Sequence, residues 1–254
     1  MNLVRITPEN LTKEHICCAI SNNRDIQVAS KKRWLSDRLD EGLVFLKGDV
    51  RGKCFIEYIP AEFAWAPITA NGFMYIDCFW VSGSLKGQGN GSLLLEECIR
   101  DSKEKGKRGL VVLSSKKKQG FLSDPDYLKA KGFRVADSAE PYFELLWLPF
   151  NEYAERPRFN DSARSSVHGG MAAGFTLYYT NQCPYTAKYV PILEGIAAES
   201  GVPMRVIKID TLEKAKNAPS AFTTFALFHN GEFVTHEILS EKKFLKVIEE
   251  IKET

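Results

Sequence analysis

The stretch Phe73-Met-Tyr-Ile-Asp-Cys-Phe-Trp-Val-Ser-Gly-Ser-Leu-Lys-Gly-Gln-Gly-Asn-Gly-Ser-Leu-Leu-Leu-Glu-Glu-Cys98 organises the chain. Its first part, Phe73 to Val81, is a β-rich apolar run that breaks at Ser82-Gly83-Ser84. After the glycine-rich turn Lys86 to Gly91 the pattern becomes helical, with Leu93, Leu94, Glu97, Cys98 and Arg100 reading as one periodic segment. A strand, a glycine turn and a helix start make a place for an anion. Without Cβ atoms, successive backbone N–H groups can converge on one ligand, and the unpaired donors and partial positive charge of the helix end add to them.

The order Lys86-Gly87-Gln88-Gly89-Asn90-Gly91 resembles the Q/R-x-x-G-x-G/A signature of the GNAT family of acetyl-CoA-dependent N-acetyltransferases. The resemblance implies that the amides from Gly87 to Ser92 hold the coenzyme A pyrophosphate, with Lys86, Gln88, Gly89, Asn90 and Gly91 building the turn. It also implies that Phe79, Trp80 and Val81, at the strand end, run beside the pantetheine arm. The turn is not the dinucleotide type: its strand is the fourth of the domain, and no acidic residue for a ribose follows at the required distance. No Gly-Lys-Ser/Thr closes it as a Walker loop.

Working outward, residues 3–7 read as a strand, Leu11 to Ser21 as a helix, and Lys31 to Glu41 as a second helix facing inward through Trp34, Leu35 and Leu39. Strands at Leu43–Leu46 and Cys54–Ile59 precede the central stretch. After it come an almost wholly apolar strand at Leu110–Leu113, a helix from Asp124 to Lys131, and two strands within Phe133–Phe150. Asp124-Pro125 supplies an N-cap followed by proline in the first turn. The expected class is α/β (α+β): a GNAT mixed sheet flanked by helices over residues 1–150.

Residues 151–173 change to Glu, Arg, Pro, Asn, Ser and Gly and read as a linker, partly tied down by Tyr153 and Phe159. Residues 174–254 then run strand, helix, strand, short helix, hairpin, helix, with Asn230-Gly231 at the hairpin turn. This is the minimal thioredoxin or glutaredoxin arrangement. A module with Asn181-Gln-Cys-Pro-Tyr-Thr186 behind a GNAT domain, ending in Phe228-His-Asn-Gly-Glu-Phe-Val-Thr-His-Glu-Ile-Leu-Ser240, resembles the YoaP-like acetyltransferases of bacteria.

The 254 residues allow one large or two modest domains. With 34 Lys+Arg against 32 Asp+Glu the net charge is +2, so no bulk field favours nucleic acid or membrane. Met1-Asn-Leu-Val-Arg-Ile-Thr-Pro8 alternates like a first strand rather than a signal peptide, and no apolar run has membrane-spanning length. Cys17, Cys18, Cys54, Cys78, Cys98 and Cys183 fall mostly within apolar patterns and lack metal-ligand spacing, as free thiols of a cytoplasmic protein do. No metal is expected. An oligomer is compatible with all of this.

Acetyl transfer needs a neutral amine, a polarised thioester carbonyl and a proton for the departing thiolate. By the two-residue strand period, Asp77 shares a face with Tyr75, Phe79 and Val81 and is the first candidate base; Glu57 on the preceding strand is the second. The family resemblance implies a tyrosine donor in the pattern Phe-Tyr-x-x-x-Gly-Phe. Here Leu128 fills that place before Gly132 and Tyr127 stands one residue early, a rotation of about 100° on a helix. Tyr127 is the candidate acid, with Tyr142 behind it. His15 reads as a helix-surface histidine. In the second module Cys183 opens a helix, a setting that lowers thiol pKa, while Thr186 replaces a resolving cysteine and Thr223 stands where the fold's cis-proline belongs.

The leading reading is transfer of an acetyl or other acyl group from acetyl-CoA to the amine of a small molecule or peptide. The alternatives are an acyl-CoA-binding sensor that docks a partner without turnover, and a monothiol redox protein using Cys183.

Overall fold

A computed structural model describes residues 1–18, 24–169 and 173–252. The first part of the chain runs β1 (Leu3–Arg5), α1 (Ile26–Leu39), β2 (Val44–Gly48), β3 (Cys54–Pro60), β4 (Ile68–Thr69), β5 (Met74–Val81), α2 (Asn90–Glu104), β6 (Gly109–Ser115), α3 (Pro125–Ala130), β7 (Arg134–Ala139) and β8 (Phe143–Pro149). Seven strands form one mixed sheet in the order β1-β2-β3-β5-β6-β8-β7, antiparallel except for β5 beside β6. β6 is buried along its whole length, as its apolar run requires in the middle of a two-sided sheet.

One expected helix is absent among the described residues. From Leu11 to Cys18 the chain makes turns; residues 19–21 of that expected helix lie outside the description. The cause is local. Asn10 Oδ1 accepts from the Thr7 amide at 2.8 Å and its Nδ2 donates to the Arg5 carbonyl at 2.8 Å, so the side chain closes a turn instead of capping a helix. His15 accordingly sits in this turn, with Nε2 3.0 Å from the Val50 carbonyl.

Two irregularities shape the centre of the sheet. β5 pairs with β6 only through Met74, Ile76 and the residue between them, so from Asp77 onward the strands part. On the other edge the register with β3 slips: Glu57 lies opposite Cys78 but Tyr58 opposite Ile76, leaving Asp77 as an inserted residue. The bulge inverts the alternation. Tyr75 and Cys78 pack toward α1, whereas Ile76, Phe79 and Val81 pack toward α2. Asp77 therefore does not share a face with Phe79 and Val81, contrary to the simple two-residue period. Its electrostatic neighbours are Glu57, Lys31, Arg38 and Lys216, on the α1 side.

Past β8 the chain continues through β9 (Arg158–Phe159), which pairs with β4, so the connecting segment is anchored by buried Phe159, while Tyr153 is 96% exposed. Then follow β10 (Phe175–Tyr179), α4 (Pro184–Glu199), β11 (Met204–Lys208), α5 (Leu212–Lys216), β12 (Phe225–His229), β13 (Glu232–Thr235) and α6 (Glu241–Lys252). Their sheet has the order β11-β10-β12-β13, with β10 and β11 parallel and the other pairs antiparallel. Asn230 and Gly231 turn the hairpin with φ of 49° and 85°, the left-handed pair that an Asn-Gly turn supplies. Phe175, Leu177, Leu193, Phe225, Leu227 and Phe244 fill a core of their own.

The two sheets are joined by an apolar, hydrogen-bonded seam. α1 packs against α4, and buried Ile209, Ala215, Ala218 and Ala221 share one core with Trp34, Trp65 and Phe73. The Trp65 carbonyl accepts from Thr223 Oγ1 and from Gln182 Nε2, the latter at 3.2 Å. Lys216 Nζ donates to the Ala61 carbonyl at 2.8 Å, and Asn160 Nδ2 to the Lys216 carbonyl at 2.8 Å.

Candidate active site

A groove of about 1310 Å³ runs between the end of β5, the start of α2 and α3. Its floor is the 86–92 turn. Gly87 and Gly89 have φ of 74° and 78°, a region costly for other residues, and a Cβ on either would meet nothing within 4 Å, so the backbone faces open space. Asn90 is buried and turned inward, its Nδ2 donating to the Leu85 carbonyl at 2.9 Å, and exposed Gln88 clamps the Ser84 carbonyl at 2.6 Å. Both side chains brace the loop from within. The amides of Gly87 through Ser92 have no intramolecular acceptor among the described residues. A row of orphaned donors at a helix start fits a diphosphate, with exposed Lys86 at its edge.

Phe79, Trp80 and Val81 form one wall of the groove, and the backbone edge they turn toward β6 is unpaired because the strands have parted. Tyr127 closes the opposite side. Asp124 caps α3, accepting from the Asp126 and Tyr127 amides, and this phase sends Leu128 into the core and Tyr127 into the groove. The Tyr127 ring meets Phe79 at 5.7 Å, and a Cβ on Gly91 would lie 3.0 Å from its hydroxyl oxygen. That hydroxyl is buried with no partner in hydrogen-bond geometry, and burial, outweighing the nearby Ser92 hydroxyl, raises its pKa, so it keeps its proton.

On the far side of Phe79, Trp80, Leu122 and Ser123, residues that line both spaces, lies a second, narrower cavity of about 430 Å³ counted with its open mouth, whose enclosed part has room for about one water. Asp77 lines it. Its Oδ1 is buried with no partner, and its pKa is pushed up to about 8 by burial, then by the neighbouring Glu57 carboxylate; Lys31, Arg38 and Lys216 oppose the rise. Glu57 is differently placed. Both its oxygens accept from Lys31 Nζ, at 2.7 and 2.6 Å, in a pair almost wholly removed from solvent. An ion pair so enclosed holds the carboxylate in place as a neighbour of Asp77 rather than leaving it free toward the cavity.

Cys183 is the N-cap of α4, yet its thiol is pushed up to about 11, burial outweighing the Tyr185 amide that favours the thiolate. Tyr142 is engaged elsewhere, donating to His236 Nδ1 at 2.7 Å across the seam. All six cysteines are free. Lys118 and Gln119, the end of the basic run Ser114–Gln119, flank the groove, and Gln182 of the Asn181–Thr186 motif reaches the cavity; Phe222 and Thr224, which also reach it, carried no sequence signal. Such residues become neighbours only through the packing of distant segments.

Residues 9–122 match the acetyltransferase (GNAT) family and residues 203–246 the YoaP-like family. The chain is 42% identical over 249 residues to the uncharacterised N-acetyltransferase YoaP of Bacillus subtilis, covering 98% of each chain. It belongs to the YoaP-like GNAT acetyltransferases. Among solved structures, this GNAT acetyltransferase is similar to a GNAT family acetyltransferase of Brucella melitensis in complex with acetyl-CoA, at 16% identity and a TM-score of 0.37, over 59% of this chain and 88% of that one. A GNAT family N-acetyltransferase of Escherichia coli in complex with CoA matches at 14% identity and a TM-score of 0.39, over 63% and 89%. No described helix of the YoaP-like chain is long and apolar enough to cross a membrane.

Proposed function

We propose that the protein transfers an acetyl group from acetyl-CoA to an amine, with the coenzyme in the larger groove and the acceptor meeting the thioester beside Asp77. The observation that carries this reading is the row of unpaired amides at Gly87–Ser92 opening toward the parted edge of β5. In this reading the amides and Lys86 hold the pyrophosphate, and Phe79 to Val81 align the pantetheine arm. When bound, the coenzyme supplies the thioester. Asp77 takes a proton from the incoming ammonium, leaving a neutral nitrogen to form the new C–N bond at the thioester carbonyl. Tyr127 gives its hydroxyl proton to the sulfur as the C–S bond breaks, and the nitrogen sheds its second proton to water as the amide forms. Residues 1–150 act as the transferase unit and 174–254 as a thioredoxin-like unit joined by 151–173. The β11-β10-β12-β13 order supports that description of the second unit.

The half-buried, proton-retaining thiol of Cys183 gives little support to a monothiol redox role, and the partnerless Tyr127 hydroxyl favours turnover over mere sensing. Free cysteines, three of them buried, suit a reducing compartment such as the cytoplasm. The test is thiol release from acetyl-CoA in the presence of a panel of amines. Release above the hydrolytic background with at least one amine supports transfer; binding of acetyl-CoA with no release in any case favours the sensor.

A further inference from the structure

An acid that gives up a proton in each turnover has to regain one. The Tyr127 hydroxyl is buried, so bulk water does not reach it directly, and the groups at the start of α2 and the end of α3 offer the route. We infer that Ser92 and Lys131 form a relay that steadies Tyr127 as it loses its proton and returns one to it from solvent. This rests on the acetyl-transfer reading above. Both are positioning residues, acting on the reaction only through Tyr127.

The relay is built where two helix ends meet. Lys131 is the C-cap of α3, one turn after Tyr127, and its amide donates to the Tyr127 carbonyl at 3.1 Å, so the two side chains share a face. Lys131 Nζ lies 5.8 Å from the centre of the Tyr127 ring and donates at 2.7 Å to Ser92 Oγ, in the first turn of α2. Because that oxygen already accepts from an ammonium, the Ser92 hydroxyl hydrogen is left for another acceptor. The Tyr127 oxygen is such an acceptor: hydrogen bonding from Ser92 favours its ionised form, against burial and the Glu96 carboxylate. Gly91, beside Ser92, puts no side chain in the way; a Cβ there would come within 3.0 Å of the Tyr127 oxygen. In the resting chain the Ser92–Tyr127 contact is not a formed hydrogen bond, and it closes as negative charge develops on the phenol oxygen.

Lys131 is the cation free for this work. Lys118 pairs with Asp124 at 2.6 Å and Lys129 with Glu144 at 3.0 Å, whereas exposed Lys131 makes no ion pair among the described residues. Its ammonium therefore meets water on one side and Ser92 on the other. The protons balance along this line. As the C–S bond breaks, the Tyr127 O–H bond breaks and an S–H bond forms. The Ser92 hydroxyl proton passes to the phenolate oxygen, Lys131 gives a proton to Ser92 Oγ, and water reprotonates the lysine. Of the two protons that the ammonium substrate releases, one is matched by this uptake and one stays in solution.

The test uses the full chain, acetyl-CoA and the amine of the panel that releases thiol fastest, read as the single-turnover rate and the acetyl-CoA dissociation constant. Ser92→Ala keeps the amide and is expected to slow transfer about 10-fold, with Ser92→Thr restoring most of the rate. Lys131→Met is expected to slow it about 5-fold, and the dissociation constant should stay within about 2-fold in all three variants. In a Tyr127→Phe background Ser92→Ala should cost nothing more, because a relay without its acid carries no proton. Losses that multiply in the double variant, no rescue by Ser92→Thr, or an unchanged rate in folded Ser92→Ala or folded Lys131→Met would overturn the relay. So would a Ser92→Ala whose one defect is weaker acetyl-CoA binding, which would make the hydroxyl a diphosphate ligand. Thiol release by the native chain with no amine of the panel would instead bring down the transfer reading, and the relay with it.

Discussion

The Tyr142 hydroxyl donates to Nδ1 of His236 at 2.7 Å, joining the start of β8 to the segment after β13. Because His236 Nε2 donates to the Gly120 carbonyl, the ring is fixed in one neutral tautomer with both nitrogens engaged. Burial lowers its pKa from 6.5.

A pH dependence of the seam follows. The unfolded chain takes up this proton near 6.5 and the folded one only at lower pH, so the contribution of neutral His236 is complete above 6.5 and is lost as pH falls below it. Thermal melts between pH 7.5 and 5.5 should show a decline that is shallower in His236→Gln, which keeps a donor and an acceptor without titrating. An identical slope in the variant would contradict the assignment.

Asp77 titrates in the opposite sense. Its pKa is raised from 3.8 to about 8, so its contribution to stability is present below 3.8 and is lost as pH rises through 8. As the base it works only when ionised, so kcat/KM for an amine should climb toward a plateau with a midpoint near 8. Asp77→Asn should cut kcat/KM by roughly 10²–10⁴, abolish that midpoint, and leave acetyl-CoA affinity unchanged. A variant with near-normal turnover would show that the base is elsewhere.

Tyr127→Phe removes a hydroxyl but keeps the ring that packs on Phe79. The expected result is a fall in kcat of about 10²-fold with little change in stability or acetyl-CoA affinity. Pre-steady-state kinetics with acyl donors of differing thiol pKa should show the loss shrinking as the leaving thiol becomes more acidic. A uniform loss across donors would assign Tyr127 to packing.

The Lys31–Glu57 pair is a structural prediction. Lys31→Met strands a buried carboxylate beside Asp77 and should cost about 3–5 kcal/mol; adding Glu57→Leu should recover most of that. Urea unfolding of the single and double variants measures it, and equal stability of the two would show the carboxylate to be solvated.

The β5–turn–α2 unit was legible because an apolar run, three spaced glycines and an amphipathic helix speak with one meaning. The element order of the second sheet was legible for the same reason, down to the Asn230-Gly231 turn. The bulge at Asp77 was not, since a strand's two-residue period cannot reveal an inserted residue until the partner strand is known. The turns at Leu11–Cys18 are not legible from residue types, because Asn10 suits a helix cap and its side chain instead reaches back to the Thr7 amide and the Arg5 carbonyl. The rim of the narrow cavity was beyond reach, because Trp65, Gln182 and Thr223 meet only through the seam.

The central claim is that the amides of the 87–92 turn grip a coenzyme A diphosphate. Titration calorimetry of the full chain with acetyl-CoA tests it most directly, paired with Gly91→Val, whose side chain would crowd the Tyr127 hydroxyl and the floor of the groove. One-to-one binding in the native chain, weakened at least 10-fold in a folded Gly91→Val, is the predicted result. No heat with the native chain, or equal affinity in both, would contradict it.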